Sequence, residues 1–248
     1  MKKEHAILGV KIDNFSKQEI LGKVEVFLAD GEFHQIVTVN PEFILEAQKN
    51  LTFREILNKS ALSVADGFGI TCAFWRFGQH LKLRIAGVDL MQEIIKIAEQ
   101  KKLKIFLAIN KDGLSSFEEI CSVISKLYPN LAIAGADLDA KDTKYSMLDA
   151  GYQILLCNFG APEQERFIDS QKNAIIGLGM GVGGSFDYLT GKISRAPLWM
   201  RKVGLEWLWR FFRQPKRFRR IFRSVVIFPL KVFWDGFYKV PTIYSRRK

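Results

Sequence analysis

The sequence predicts an α/β fold: a doubly wound parallel sheet followed by a basic, aromatic helical appendage at the C-terminal end. Short apolar segments such as ILLCNF, at residues 154–159, are typical of strands buried on both faces of a parallel sheet. Amphipathic segments with helix-start signals alternate with them, which favours helices on both faces of that sheet. A change of charge after residue 194 predicts the appendage.

The elements of the body alternate in the order expected of a Rossmann-like sheet. Strands are expected at residues 6–12, 34–39, 62–65, 103–109, 131–136, 154–159 and 174–178. Helices are expected from Ser16 to about residue 29, from Asn40-Pro41 onward, at 88–101, from a capping box at 115–118 to about residue 127, and near 143–150. Ligands bind beyond the carboxyl ends of such strands, so we expect the chemistry there.

Charge divides the chain into a predicted α/β domain, residues 1–194, and a predicted membrane-docking appendage, residues 195–248. The body has a net charge of −2, whereas the last 54 residues have +13, from 15 Lys and Arg against two acidic residues. Four of the five Trp lie among those cations, in two expected helices at 198–212 and 216–237. Such a segment needs an anionic partner, which could be nucleic acid, a lipid surface or a pyrophosphate-bearing substrate.

The cysteines and the apolar runs indicate a compartment. Cys72, Cys121 and Cys157 are odd in number and widely spaced, so we expect unpaired core thiols in a reducing environment. The short apolar stretch near the N-terminus lacks the pattern of a signal peptide, and no uncharged apolar run approaches 18 residues. A cytoplasmic protein that can lie on a membrane is therefore expected.

A glycine motif follows the last predicted strand. Gly179-x-Gly181-x-x-Gly184 formally matches a dinucleotide fingerprint. Against that interpretation, Asp187 follows too soon to bind a ribose, and the residues about 20 positions further on are basic. Two alternatives remain: a tight turn required by packing, or a backbone cradle for a nucleotide diphosphate or a sugar.

Acidic residues supply the other candidates for chemistry. Asp66 ends a predicted strand, where a carboxylate can reach a substrate hydroxyl as a general base; its alternative role is an Asx turn or a helix N-cap. Asp137-x-Asp139 resembles a metal-binding pair, but no third acid or His lies near it, so a solvated loop is expected. Because the chain has no nucleophile elbow and no Gly-Lys-Ser/Thr phosphate loop, hydrolase and ATPase functions are disfavoured.

Five motifs occur in a fixed order along the chain. They are Thr38-x-Asn40-Pro41-Glu42, Ala65-Asp66-Gly67-Phe68-Gly69, Arg84-x-x-Gly87-x-Asp89-Leu90, Gly160-x-Pro162-x-Gln164-Glu165, and Gly181-Val182-Gly183-Gly184-Ser185-Phe186-Asp187 leading to Gly191-Lys192 and Arg195-Ala196-Pro197. In this order they resemble the WecG/TagA/CpsF bacterial cell-envelope glycosyltransferases, glycosyltransferase family 26. The resemblance covers nearly the whole chain and continues through Gly204-Leu205-Glu206-Trp207 and Pro215-Lys216-Arg217.

The resemblance implies an inverting, metal-independent transfer of a sugar, often N-acetylmannosamine or its uronic acid, from a UDP donor. The implied acceptor is a polyprenyl diphosphate such as undecaprenyl diphosphate carrying N-acetylglucosamine, in cell-surface polysaccharide or teichoic-acid synthesis. No cofactor and no metal are implied, since the UDP-sugar is a substrate. Such an enzyme would lie peripherally on the inner face of the cell membrane.

The resemblance also implies residue roles. Asp66 matches the catalytic base, and Thr38 and Asn40 match residues lining the same pocket. Arg84 and Gln164 match residues near the donor and its diphosphate. Gly181, Gly183, Gly184 and Asp187 are expected to form the second wall of the UDP-sugar pocket. Arg210, Arg217 and Arg220 are expected to bind the lipid diphosphate and the anionic membrane.

One segment departs from the family pattern, and two other functions are alternatives. Asn110-Lys111-Asp112-Gly113 stands where relatives commonly carry a glycine-rich loop, which leaves open how that loop contacts the nucleotide. A nucleic-acid-binding module would stack the rings of the tail on bases, but their apolar neighbours suit acyl chains better, so no nucleic acid partner is expected. A nucleotide-dependent oxidoreductase would have to bind NAD(P), and no such binding is expected. The donor sugar, the linkage and the oligomeric state are not predicted.

Overall fold

The computed structural model describes residues 5–140, 151–174, 177–213 and 217–238. Its main sheet contains β3 Phe33–Val39, β4 Leu62–Ala65, β5 Lys104–Asn110, β6 Ala132–Leu138, β7 Ile154–Cys157 and β8 Gly177–Gly181. These six strands lie in the order β4-β3-β8-β7-β5-β6, and every neighbouring pair is parallel. The predicted parallel α/β sheet is therefore confirmed.

Helices cover both faces of the sheet. They are α1 Lys17–Phe27, α2 Pro41–Ala47, α3 Leu51–Lys59, α4 Phe68–Arg76, α5 Gly87–Gln100, α6 Phe117–Leu127, α7 Glu163–Ser170, α8 Ser185–Leu189, α9 Leu198–Lys202, α10 Glu206–Arg213, α11 Phe218–Phe222 and α12 Phe228–Tyr238, with a π-helical turn, Arg223–Ile227, before α12. One face of the sheet packs against α1, α5, α6 and α8, and the other against α2, α3, α4, α7 and α12. Alternate residues of β3 show the two layers, since Ile36 joins the first core and Val37 the second.

Local signals place several helix starts correctly. Ser16 and Glu19 form a reciprocal capping box at α1, and the Asn40 side chain accepts from the Phe43 backbone N–H ahead of Pro41 in the first turn of α2. At α6 the capping box is Ser116 with Glu119, one residue later than predicted. The predicted caps of α1 and α2 are thus confirmed.

Other elements differ from the prediction. Residues 6–12 form a hairpin rather than one strand: β1 His5–Ile7 and β2 Val10–Ile12 pair antiparallel, because Leu8 and Gly9 turn the chain with φ of 49° and 79°. The helices α3 and α4 were not predicted. The helix expected near 143–150 lies outside the described residues.

The appendage packs closely against the body. Phe228 and Val232 of α12 are buried in the core formed with α2 and α4. At its start, the Arg195 guanidinium makes two hydrogen bonds to the Asp89 carboxylate in the first turn of α5, at 2.6 and 3.1 Å. The division of the chain at residue 194 stays a prediction. In the portion of the chain that the structure describes, no helix combines the length and apolar character needed to span a membrane.

Candidate active site

A cavity of about 270 Å³ lies at the carboxyl ends of β3 and β4, beneath the appendage. Its walls are the segments that follow the two strands, together with residues of α4, α10, α11, the π-helical turn and α12. The lining residues are Asn40, Pro41, Glu42, Asp66, Gly67, Phe68, Gly69, Cys72, Arg84, Gly204, Glu206, Trp207, Arg210, Ile221, Ser224, Val225 and Pro229. The structure thus brings together four of the predicted site residues: Asn40, Asp66, Arg84 and Arg210.

Asp66 is positioned by the sheet and by α5. Its backbone N–H donates to the Val39 carbonyl oxygen at 2.8 Å, which holds the segment after β4 beside the end of β3. Its carboxylate accepts a hydrogen bond from the Gly87 backbone N–H, and Gly87 is the first residue of α5. That helix has no side-chain cap on its own N-cap residue. Asp66 therefore lies at the N-terminus of α5, where the backbone N–H groups and the helix dipole favour its ionised form.

The surroundings of Asp66 tune its acidity. Burial, together with the nearby carboxylate of Glu206, raises the pKa of Asp66 to about 6, against the opposing effects of the Arg210 and Arg84 charges and the Gly87 hydrogen bond. A base works best when its pKa lies near the working pH. Asp66 therefore has the acidity that proton abstraction near neutral pH requires.

Arg210 brings a positive charge from α10 into the cavity. Its Nη2 donates to Glu206 Oε1 at 2.6 Å, and its guanidinium carbon lies 5.9 Å from the centre of the Tyr188 ring. Burial alone would lower the pKa of Arg210, but Tyr188 and Glu206 raise it above its usual range. The buried Arg210 Nε has no hydrogen-bond partner among the described residues. Arg210 therefore stays charged inside the cavity.

Arg84 joins the cavity to the appendage. Its Nη2 donates to the Arg201 carbonyl oxygen, near the end of α9, at 2.6 Å, and its guanidinium carbon lies 5.8 Å from the centre of the Phe68 ring. Phe68 in turn packs on Gly204, where an added Cβ would lie 2.3 Å from the ring. Arg84 thus fixes the position of α9 while contributing positive charge to the cavity wall.

The other arginines predicted to bind anions lie at the same end of the sheet. Arg220 Nε donates to Glu42 Oε2 at 2.7 Å, and Glu42 lines the cavity. Burial and the nearby charges of Arg220 and Arg210 lower the pKa of Arg217. Arg217 is therefore close enough to Arg210 and Arg220 to be repelled by both, and an anionic ligand would relieve this repulsion.

Thr38 lies just outside this cavity. It is buried in β3, where its side chain contacts the start of α5: a Cβ added at Gly87 would lie 3.4 Å from Thr38 Oγ1. Thr38 therefore supports the helix end to which Asp66 is bound. Its predicted contact with a substrate stays a prediction.

The two predicted walls of the UDP-sugar pocket, Gln164 in one and residues 181–187 in the other, lie at the carboxyl ends of β7 and β8. Gln164 Oε1 accepts from the Gly160 and Gly183 backbone N–H groups at 3.0 and 3.1 Å, and Gln164 Nε2 donates to Glu165 Oε1 at 2.7 Å. Neither Gln164 nor any residue of 181–187 lines the cavity around Asp66. Their predicted contacts with the donor stay predictions.

The glycine motif differs from its predicted form. The strand expected at 174–178 is β8 Gly177–Gly181, so Gly179 and Gly181 lie inside the strand and not in a turn. A Cβ added to Gly179 would lie 2.4 Å from the Ile168 side chain, and a Cβ added to Gly181 would lie 2.3 Å from the Gln164 side chain. Close packing of α7 on β8 therefore requires both glycines, and the dinucleotide fingerprint is lost because its first two glycines are not in a phosphate-binding loop.

Asp187 and the loop at residues 110–113, which departs from the family pattern, have partners within the chain. Asp187 Oδ1 accepts from Ser115 Oγ at 2.9 Å. In the loop, the Asp112 backbone N–H donates to Asn110 Oδ1 at 3.1 Å, as in an Asx turn, and Lys111 pairs with Asp139 at 2.8 Å. Contacts within the chain therefore hold both elements in place.

Asp137 and the remaining acids do not form a metal site in the described ranges. Asp137 Oδ1 accepts from the Phe117 backbone N–H at 2.9 Å and so caps α6. Across the parts of the chain that the structure describes, no cluster of three or more His, Cys, Asp or Glu is arranged to hold a metal ion. A metal-independent reaction stays a prediction.

Two cavity residues were missed from the sequence. Glu206 belongs to the motif Gly204-Leu205-Glu206-Trp207, from which no role is predicted, although it pairs with Arg210 and raises the pKa of Asp66. Cys72 was expected in the core together with Cys121; both are only half-buried, and Cys72 lines the cavity, so that expectation holds only for the buried Cys157. The half-exposed positions reflect α4 and α6, whose outer faces the sequence pattern did not resolve.

Comparison with known proteins identifies the family. Residues 5–240 match the model of the glycosyl transferase WecG/TagA/CpsF family. The chain is 32% identical over 237 residues, 91% of both chains, to an N-acetylglucosaminyldiphosphoundecaprenol N-acetyl-beta-D-mannosaminyltransferase of Staphylococcus aureus (strain MRSA252). It is 34% identical over 192 residues, 75% of this chain and 74% of the other, to the protein of that name from Bacillus subtilis (strain 168). The motifs, the parallel sheet and these matches agree, and the chain belongs to the WecG/TagA/CpsF family of glycosyltransferases.

Proposed function

We propose that this protein transfers N-acetylmannosamine, or a closely related sugar, from a UDP donor to N-acetylglucosaminyl diphosphoundecaprenol. The acceptor and the sugar follow the printed names of the relatives from S. aureus and B. subtilis. One observation in this chain carries the proposal: a carboxyl group with a pKa near 6, Asp66, faces a cavity that also holds Arg84 and Arg210. A base and cations in one cavity are what this transfer needs.

The reaction would proceed by direct displacement. The Asp66 carboxylate takes the proton of the acceptor hydroxyl, whose oxygen forms a bond to the anomeric carbon of the donor sugar. The bond from that carbon to the UDP oxygen breaks, and UDP leaves with the electron pair, so the configuration at the anomeric carbon inverts. Arg210 and Arg84 are the cavity groups suited to stabilise diphosphate charge, because guanidinium groups bind phosphate oxygens in a bidentate manner.

Release of UDP tests this function. Purified protein is incubated with a lipid-linked N-acetylglucosamine diphosphate acceptor and each of several UDP-sugars, with EDTA present or absent. We expect UDP release that requires the acceptor, is largest with UDP-N-acetylmannosamine and is unchanged by EDTA. Release without acceptor would indicate hydrolysis, and loss of activity in EDTA would contradict the metal-independent reaction.

We also propose that the mouth of the cavity docks on an anionic membrane, where the lipid-linked acceptor resides. Helices α4, α11 and α12 line the cavity and also expose large apolar side chains. We call these the apolar rim: Trp75, Phe218, Phe222, Phe233 and Trp234. Trp75 belongs to the body and not to the basic appendage, and Arg76 beside it lies over the Phe233 ring at 5.3 Å. Rings with adjacent arginines are suited to a lipid headgroup boundary.

Liposome sedimentation tests the docking proposal. We expect Trp75→Ser combined with Trp234→Ser to reduce binding to vesicles containing anionic lipid by at least about tenfold, since two large rings lose their burial in the bilayer. Leu127→Ser is the matched control, because Leu127 is similarly exposed on α6, beside the opposite edge strand β6. Equal binding by the double variant and the control would contradict docking through the apolar rim, as would tighter binding to single-stranded DNA than to vesicles.

A further inference from the structure

A buried polar cluster joins the two glycine turns at the carboxyl ends of β7 and β8. Gln164 and Glu165, at the start of α7, have exposed fractions of only 3% and 1%. Both side chains lie against Gly181 of β8, where an added Cβ would be 2.3 Å from Gln164 Nε2 and 2.6 Å from Glu165 Oε1. The chain therefore leaves space in its core for these two polar groups.

The Gln164 amide works in one orientation only. Its oxygen accepts from the backbone N–H groups of Gly160, after β7, and Gly183, after β8. If the amide were rotated by 180°, its NH₂ group would face two N–H donors and both hydrogen bonds would be lost. The Gln164 oxygen thus holds the two turns at a fixed separation.

Glu165 selects that orientation. Glu165 Oε1 accepts from Gln164 Nε2 at 2.7 Å, so the amide nitrogen faces the carboxyl group and the amide oxygen faces the glycines. The backbone of Glu165 is also held, since Gln35 Nε2 of β3 donates to its carbonyl oxygen at 3.2 Å. The three central strands β3, β8 and β7 therefore meet at one buried acid.

Glu165 is unfavourable for the stability of the fold. Burial raises its pKa to about 7, and its Oε2 is buried without a hydrogen-bond partner among the described residues. An apolar side chain of similar length would avoid this cost. Groups that violate packing rules in this way are expected at functional sites.

We infer that Glu165 is a positioning residue for the donor: by orienting the Gln164 amide, it fixes the glycine turns after β7 and β8 against which the UDP moiety binds. The inference rests on the proposed function for the identity of the donor. It gives Gln164 the role of a clamp between two turns, through which Glu165 acts without touching the substrate.

Steady-state UDP release at saturating acceptor tests the inference. Glu165→Met removes the carboxylate oxygen that accepts from Gln164 Nε2 while keeping the length of the side chain. We expect the KM for UDP-sugar to rise about tenfold, the factor for one lost hydrogen bond, with kcat changed less than about twofold. Glu165→Gln is the matched control, because its amide oxygen can still accept from Gln164 Nε2; its donor KM should stay within about threefold of wild type. The acceptor KM should not change in either variant.

Several outcomes would overturn the inference: a folded Glu165→Met protein with unchanged donor KM, or a Glu165→Gln protein as impaired as Glu165→Met. If Glu165→Met does not fold, Gln164→Glu is the alternative: it keeps an oxygen for the Gly160 and Gly183 N–H groups but removes the amide N–H that donates to Glu165. The KM for UDP-sugar should rise to a similar extent. An unchanged KM for UDP-sugar would again contradict the positioning role of Glu165.

Amide hydrogen exchange separates this inference from the proposed function. If the wild-type protein releases no UDP with any donor, the proposed function fails. The clamp is still tested, because exchange at Gly160 and Gly183 should be about tenfold faster in Glu165→Met than in Glu165→Gln. Equal exchange in the two variants would show that Glu165 does not position the turns.

Discussion

The acidity of Asp66 makes a quantitative prediction for the pH dependence of transfer. With a pKa of about 6, only about one tenth of Asp66 is ionised at pH 5 and about nine tenths at pH 7. If the carboxylate is the base, kcat/KM should rise about tenfold over this interval. An aspartate with the ordinary pKa of 3.8 would already be more than about nine tenths ionised at pH 5, and the rate would be nearly flat.

The assay is kcat/KM for UDP release from pH 4.5 to 8, which reports ionisations of the free enzyme and substrates. Two variants displace the acid limb in opposite directions. Arg210→Gln removes a cation that lowers the pKa of Asp66, so the limb should move to higher pH; Glu206→Gln removes an anion that raises it, so the limb should move to lower pH. A rate that stays flat between pH 5 and 7, or limbs that move the opposite way, would refute the assignment of Asp66 as base.

Three further predictions concern stability. Because the pKa of Asp66 is raised from 3.8 to about 6 in the native state, the native state binds the proton more tightly than the unfolded chain, and stability is lost as pH rises through that interval. Asp66→Asn should therefore be more stable than wild type by about 1–3 kcal/mol in urea denaturation at pH 7.5, and this difference should vanish toward pH 4. Phe228→Ala should lower the free energy of unfolding by about 3–5 kcal/mol, because the ring is 1% exposed in the core that attaches α12 to the body; a loss below about 1 kcal/mol would show that the appendage is not anchored there. Gly204→Ala should increase protease cleavage between α9 and α10, because Gly204 has φ of 81° and an added Cβ would lie 2.3 Å from the Phe68 ring; unchanged cleavage would contradict this contact.

The sequence predicts those elements whose signals are local. Ser16 and Asn40 identify helix starts, since the residues that satisfy the free backbone groups lie within three positions of each cap. The hairpin at 5–12 was missed because its turn places Leu8, a residue that rarely has positive φ, in the left-handed region. Helix α4 was missed because its N-cap residue is Gly67, which has no side chain to cap the helix.

The register of β8 shows a limit of pattern reasoning. A glycine after an apolar run predicts the end of a strand, yet Gly179 lies within β8. Glycine is required at this position because Ile168 of α7 packs against it, a contact that the sequence does not show. Packing between distant segments decides whether a glycine ends a strand or lies within it.

The sequence predicts which residues form the candidate site better than it predicts the contacts between them. Asp66, Arg84 and Arg210 were assigned through motifs and share one cavity. The hydrogen bonds of Gln164 and the pairing of Glu206 with Arg210 were not predicted, because each depends on the relative placement of elements distant in sequence or on the choice of one partner among several.

The central claim is that Asp66 is the base that activates the acceptor. Its most direct test compares wild-type and Asp66→Asn protein for UDP release with a lipid-linked N-acetylglucosamine acceptor at pH 7.5, together with the affinity of each for UDP. Asn keeps the oxygen that accepts from Gly87 but cannot take a proton, so we expect transfer to fall by about 10²–10⁴-fold while UDP affinity stays within about twofold. Transfer by the folded Asp66→Asn protein at a rate near that of wild type would contradict the account.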